Sequence, residues 1–126
     1  MNGRYTIAFA MVGSFALGAV AVQTLHAQAK PPAFSIAEIT VTDQDGYLKE
    51  FAPSAVKAIQ EAGGKALARG KGFSLEGAPA AGRVVVLQFE SMDKLLAFEN
   101  SPTNLRKTTG TKYATFRVIG VEGVAP

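Results

Sequence analysis

Five polar side chains are the candidates for chemistry, because each lies within or beside an apolar segment of the sequence. Glu38 is in the middle of the apolar stretch IAEITV, where a desolvated carboxylate can accept a proton. Arg69 and Arg83 carry planar guanidinium groups that suit an anionic substrate. Tyr47 and Gln88 can donate hydrogen bonds to a ligand. The pattern predicts catalysis at Glu38 and ligand binding at the other four residues.

Each candidate also has a purely structural interpretation. Glu38 can be half of an ion pair with a lysine or arginine at the surface of a sheet. Arg69 and Arg83 can meet a carboxylate or a carbonyl at a strand end, and Tyr47 can be a core residue with its hydroxyl at the edge. Gln88 can face the interior of a dimer. The residue types alone leave both interpretations open.

Several kinds of chemistry are excluded by composition. The chain has no cysteine, and its one histidine is His26. No acidic residues have the spacing of a calcium loop, so neither a metal site nor a cofactor is predicted. The 13 lysines and arginines alternate with 10 acidic residues along the chain. This pattern does not favour binding to nucleic acid.

The first 29 residues differ from the rest of the sequence. Arg4 is their only charged residue, residues 6–22 are uncharged and apolar, and Ala27-Gln28-Ala29 has the small residues of a cleavage site. These features predict a signal peptide over 1–29 that is cleaved after Ala29, or after Ala27, with export to the periplasm or the medium. The alternative is a retained inner-membrane anchor, in which residues 6–22 are the only membrane contact. Cleavage removes His26.

The remaining chain predicts a linker at 30–33, a domain at 34–123 and a tail at 124–126. Alternation of apolar residues predicts a strand over 33–42, and an almost continuous apolar run predicts a central strand over 83–90. Strands are also predicted over 65–70 and 114–123, with a further extended segment at 73–77. Two helices, interrupted at Phe51-Ala52-Pro53, are predicted after an Asp43 cap, with Tyr47, Leu48 and Phe51 on their apolar face. A further helix begins at Ser91 and ends before Pro102, whereas residues 103–112 favour no element.

The order β-α-β-β-α-β predicts an α+β fold of the ferredoxin-like type, with both helical segments on one face of an antiparallel sheet. If Ala37, Ile39 and Val41 face the helices, then Ile36, Glu38 and Thr40 lie on the other face. Exposure of that largely apolar face to water is unfavourable. A homodimer that packs two such faces together is therefore predicted.

Short motifs in the same order resemble the family known as domain of unknown function 1330, within the dimeric α+β barrel superfamily. The motifs are IAEITVTD, Tyr47, FAP, GGKALARG, GRVVVLQFES, NSP and VEG, and they extend over about residues 34–123. The family usually has an acidic residue and an aromatic after Ser-Pro, where this chain has Thr103-Asn104. This difference weakens any role for an aromatic residue at the mouth of a pocket.

The resemblance implies a dimeric barrel but no particular activity. The superfamily includes cofactor-free monooxygenases, lactone isomerases and haem-degrading enzymes, which use a pocket between sheet and helices. Three functions therefore remain open: an exported domain that binds a small molecule in a pocket of the dimer, a cofactor-free enzyme with a carboxylate and an arginine, and a non-catalytic structural dimer.

Overall fold

The computed structural model describes residues 30–125, and the predicted signal peptide lies outside the described residues. The sheet consists of β1 (Ala33–Val41), β2 (Lys65–Gly70), β3 (Arg83–Phe89) and β4 (Ala114–Glu122). All pairings are antiparallel, and the strand order is β2-β3-β1-β4. This order confirms the ferredoxin-like α+β fold, and every strand bound agrees with the predicted one to within a residue.

Helical segments fill both connections between the outer and inner strands. They are α1 (Gln44–Gly46), a π-helical segment (Tyr47–Phe51), α2 (Ala52–Glu61), α3 (Met92–Glu99), α4 (Leu105–Thr108) and a 3₁₀ segment (Gly110–Lys112). The first three follow one another without a break between β1 and β2. The last three connect β3 to β4.

The predicted interruption of the first helix is confirmed, and it takes the form of a π-helical turn. The side chain of Asp43 accepts a hydrogen bond from Gly46 N at 3.1 Å and caps the start. Further along, Ala52 N donates to the carbonyl of Tyr47, five residues earlier, immediately before Pro53. The prediction that Leu48 joins the buried stripe was wrong, since half of its surface is exposed.

Caps also define the second helical connection. Ser91 Oγ accepts a hydrogen bond from Lys94 N at the start of α3, as predicted. The ambiguous stretch 103–112 contains α4, which is capped by the side chain of Asn104. The prediction of an extended segment at 73–77 was wrong: residues 75–78 form a bend, and Ser74 Oγ donates to Ala78 O at 2.9 Å.

The two sides of the sheet differ in what covers them. The helices pack on the side that carries the odd-numbered residues of β1, here called the helix side. The other side is here called the open face. Among the described residues, the helices that join the hydrophobic core pack on the helix side and not on this face. Its residues are Phe34, Ile36, Glu38, Thr40, Val84, Val86, Gln88, Thr115, Arg117, Ile119 and Val121. The face assignment from the sequence is confirmed.

Candidate functional site: a cavity between sheet and helices

A cavity of about 200 Å³ lies between the helix side of the sheet and helices α2, α3 and α4. Small residues of both the sheet and the helices keep it open: Ala37, Ala52, Ala55, Ala58 and Ala66. Aromatic rings form much of the remaining wall: Tyr47, Phe51, Phe98 and Phe116. Its lining is mainly apolar, with a few polar groups at its ends, as in most small-molecule sites.

Two arginines lie together at one end of this cavity. Arg83 is opposite Ile39 in the pairing of β3 with β1, and Arg69 is opposite Val85 in the pairing of β2 with β3. The two arginines are therefore diagonal neighbours on adjacent strands, about 7 Å apart at their backbones. Both side chains line the cavity, and Arg83 Nε is buried without a hydrogen-bond partner among residues 30–125.

A β-bulge in the edge strand brings Arg69 to the cavity. Ala66 is opposite Leu87 and Arg69 is opposite Val85, so both lie on the helix side although they are three residues apart. In a regular strand, residues three apart lie on opposite faces. The register shift between Ala66 and Ala68, with Leu67 as the extra residue, turns the arginine inward.

Tyr47 also lines the cavity. It packs in one buried cluster with Ile39, the residue that is opposite Arg83 in the sheet. Its ring is tilted against that of Phe51, with centroids 5.4 Å apart. The Tyr47 hydroxyl makes no hydrogen bond within the described part of the chain, and the side chain lines the cavity. The hydroxyl is thus available to a bound molecule.

An ion pair that sequence reasoning missed forms another part of the wall. Arg106 of α4 binds Glu99 at the end of α3 through two parallel hydrogen bonds, one of them 2.9 Å between Nη1 and Oε1. The buried side chain of Asn104 donates to Glu99 O at 3.0 Å and accepts from Arg106 N. Glu99 and Arg106 also line a second groove near Met92 and Lys107. The Asn104 cap after Pro102 was the available sequence signal, because it marks a helix start.

The other two candidates, Glu38 and Gln88, lie on the open face and do not line the cavity. Glu38 Oε2 accepts a hydrogen bond from Nη1 of Arg117 at 2.5 Å, and the two residues are directly opposite each other in β1 and β4. This contact corresponds to the structural interpretation of Glu38 as half of an ion pair. Its catalytic role stays a prediction.

The part of the chain that the structure describes contains no cluster of three or more histidine, cysteine or acidic residues placed to hold a metal ion. Among residues 30–125 there is also no helix with the length and apolar character needed to cross a bilayer.

Comparisons with known proteins agree with this architecture. The crystal structure of the RPA0582 protein of unknown function from Rhodopseudomonas palustris has a TM-score of 0.60 at 13% identity, over 84% of this chain and 93% of that chain. A crystal structure of methylated RPA0582 protein has a TM-score of 0.56 at 14% identity, over 84% and 91%. No curated protein sequence matches the chain.

At these identities the two structures show a shared fold and nothing more. The family comparison is different in kind, because a family model matches residues 32–124, which is most of the chain. The chain therefore belongs to the family described as Domain of unknown function (DUF1330).

Proposed function

We propose that this domain binds a small, largely apolar molecule in the cavity between its sheet and its helices. The observation that carries the proposal is the cavity of about 200 Å³ itself. An engineered apolar cavity of about 150 Å³ is sufficient to bind benzene, so the space suits a molecule with one ring and a short substituent. Alanines surround it where larger side chains would fill the space and add stability.

The test is a titration of the isotopically labelled full-length protein with 2-phenylethanol, followed by two-dimensional NMR. The expected result is saturable shifts of cavity residues at concentrations on the order of millimolar. Ala55→Phe places a ring in the cavity from α2 and should remove these shifts, and Ala55→Leu should weaken them.

Ala97→Phe on the exposed side of α3 is the matched control and should bind as the wild type does. The proposal fails if the wild type shows no saturable shifts, or if Ala55→Phe binds as well as Ala97→Phe.

The partner that we propose for the open face is a second copy of this chain. Ile119 and Val121 on that face are 41% and 46% exposed. Phe73 and Leu75, in the segment between β2 and β3, are 76% and 96% exposed, so this segment also presents apolar side chains to solvent. A two-fold axis through the face would also bring two Glu38–Arg117 pairs together in a self-complementary arrangement.

Light scattering tests this proposal and should give about twice the chain mass at micromolar concentration. Ile119→Lys should produce a monomer, because it places a charge in the contact. Leu48→Lys, at a site 50% exposed on the helical side, should leave the dimer intact. A monomeric wild type, or equal disruption by both variants, would refute the dimer.

Export also belongs to the proposal. Its support is the sequence of residues 1–29, with one arginine, an uncharged apolar run and the alanines at 27 and 29. The ligand is then a molecule present outside the cytoplasm.

A further inference from the structure

The arginines of the described chain fall into two groups by their partners. Arg106 is paired with Glu99, and Arg117 is paired with Glu38. Between residues 30 and 125, Arg69 and Arg83 form no ion pair and no side-chain hydrogen bond. Two cations on adjacent strands repel each other, so this end of the cavity lacks a counter-charge.

The burial of part of the Arg83 side chain raises the energetic cost of leaving it without a counter-charge. Its Nε is buried, whereas a buried N–H donor ordinarily has an acceptor. The acid that shares the cavity wall, Glu99, is already bound by both terminal nitrogens of Arg106. No acidic side chain of the described cavity lining remains for Arg83.

We infer that Arg69 and Arg83 bind the carboxylate of a small aryl or short-chain monocarboxylic acid whose apolar part fills the cavity. This inference rests on the proposed function and adds the chemical class of the ligand. A carboxylate offers two coplanar oxygens, which match the edge of a guanidinium group that includes Nε. The hydroxyl of Tyr47, which also lines the cavity, donates a further hydrogen bond to the anion.

The shape of the cavity limits the rest of the ligand. The volume of about 200 Å³ fits one ring or a chain of similar size, and the aromatic wall favours a ring by edge and face contacts. A single carboxylate is sufficient, because the Glu99–Arg106 pair in the wall is already internally neutral. A neutral molecule of the same shape gains the apolar contacts but leaves both arginines without an anion.

The experiment compares phenylacetate with 2-phenylethanol on the full-length protein by calorimetry and NMR, because the two differ mainly in charge. The wild type should bind phenylacetate at least about tenfold more tightly, and added salt should reduce the difference. Arg83→Met should remove this preference, measured as the ratio of the two affinities. Arg69→Met, on the exposed edge strand, should reduce the preference and provides a second variant if Arg83→Met does not fold.

Lys57→Met, an exposed residue of α2 outside the cavity lining, is the control for the loss of one positive charge and should keep the preference. Equal affinity of the wild type for both compounds would overturn the inference and leave the cavity proposal standing. Absence of binding by either compound would overturn the proposed function itself. Tighter binding of phenyl phosphate than of phenylacetate would overturn the assignment to carboxylates.

Discussion

Replacing the acid of each ion pair by glutamine should destabilise the protein to very different extents. The side chains of Glu99 and Arg106 are 17% and 20% exposed, whereas those of Glu38 and Arg117 are 32% and 69% exposed. Glu99→Gln leaves a mostly buried guanidinium without its charge partner, and removing one partner of a fully buried pair costs about 3 to 5 kcal/mol. Glu38→Gln leaves Arg117 in contact with water, where exposed pairs contribute under about 1 kcal/mol.

The Glu99–Arg106 pair is not fully buried, so the expected loss of stability is smaller than for a fully buried pair. Water reaches about a fifth of each side chain, and glutamine can still accept one hydrogen bond from Arg106. We therefore expect Glu99→Gln to lower the free energy of unfolding by about 2 kcal/mol. The loss from Glu38→Gln in the monomer should be smaller by at least about 1 kcal/mol.

Urea unfolding of the wild type and both variants provides the measurement, because urea does not screen charge. In 1 M NaCl the small effect of Glu38→Gln should vanish, whereas most of the Glu99→Gln effect should persist. Both series are repeated at two protein concentrations. A loss at Glu38 that grows with concentration would report burial of the open face by a second copy.

A cost of under about 1 kcal/mol for Glu99→Gln, or the same loss of stability in both variants at both concentrations, would refute the expected dependence on exposure. Equal losses would mean that exposure does not govern the strength of these pairs. The same data address the catalytic prediction for Glu38. If this carboxylate is kept for proton transfer, Glu38→Gln should leave the free energy of unfolding unchanged or raise it.

Three further predictions concern packing, capping and export. Gly110→Ala should lower the free energy of unfolding in urea by about 1 to 3 kcal/mol, because the new methyl group would lie 2.8 Å from the Phe51 ring. Gly82→Ala is the control and should be neutral, because there is open space around Gly82. Asn104→Ala removes the cap of α4 and a hydrogen bond to α3, and should cost about 1 to 2 kcal/mol by the same measurement. Protein from the periplasm of a Gram-negative host should begin at Lys30, or two residues earlier, by mass spectrometry; intact Met1 in the soluble cytoplasmic fraction would contradict export.

Local patterns predicted the sheet because alternation, apolar runs and helix caps are properties of neighbouring residues. The bounds of β2 follow from the sequence alone, as do the caps at Asp43 and Ser91. The exposure of Leu48 was not predicted, because the π-helical turn adds a residue and changes which side chains face inward. Such a turn has no reliable local signature beyond the nearby proline.

The site was predicted in part for a similar reason. Tyr47, Arg69 and Arg83 were recognised by residue type, and the structure brings them to one cavity. The bulge that turns Arg69 inward depends on the pairing of β2 with β3, which no local pattern specifies. The Glu99–Arg106 pair was missed because its partners come from two different helices, one of them in the stretch without periodicity.

The contrast between the two sides of the sheet favours a functional interpretation of the cavity. On the open face, Arg117 has a carboxylate directly opposite it in the neighbouring strand. On the helix side, a bulge places Arg69 next to the unpaired Arg83, beside a cavity bordered by alanines. A partly buried, unpaired guanidinium lowers the stability of the free protein, and one neighbouring acid would relieve it. Unfilled apolar space lowers the stability as well, and larger residues would fill it. Selection for folding alone favours neither feature, whereas a ligand with an anionic group and an apolar body satisfies both at once.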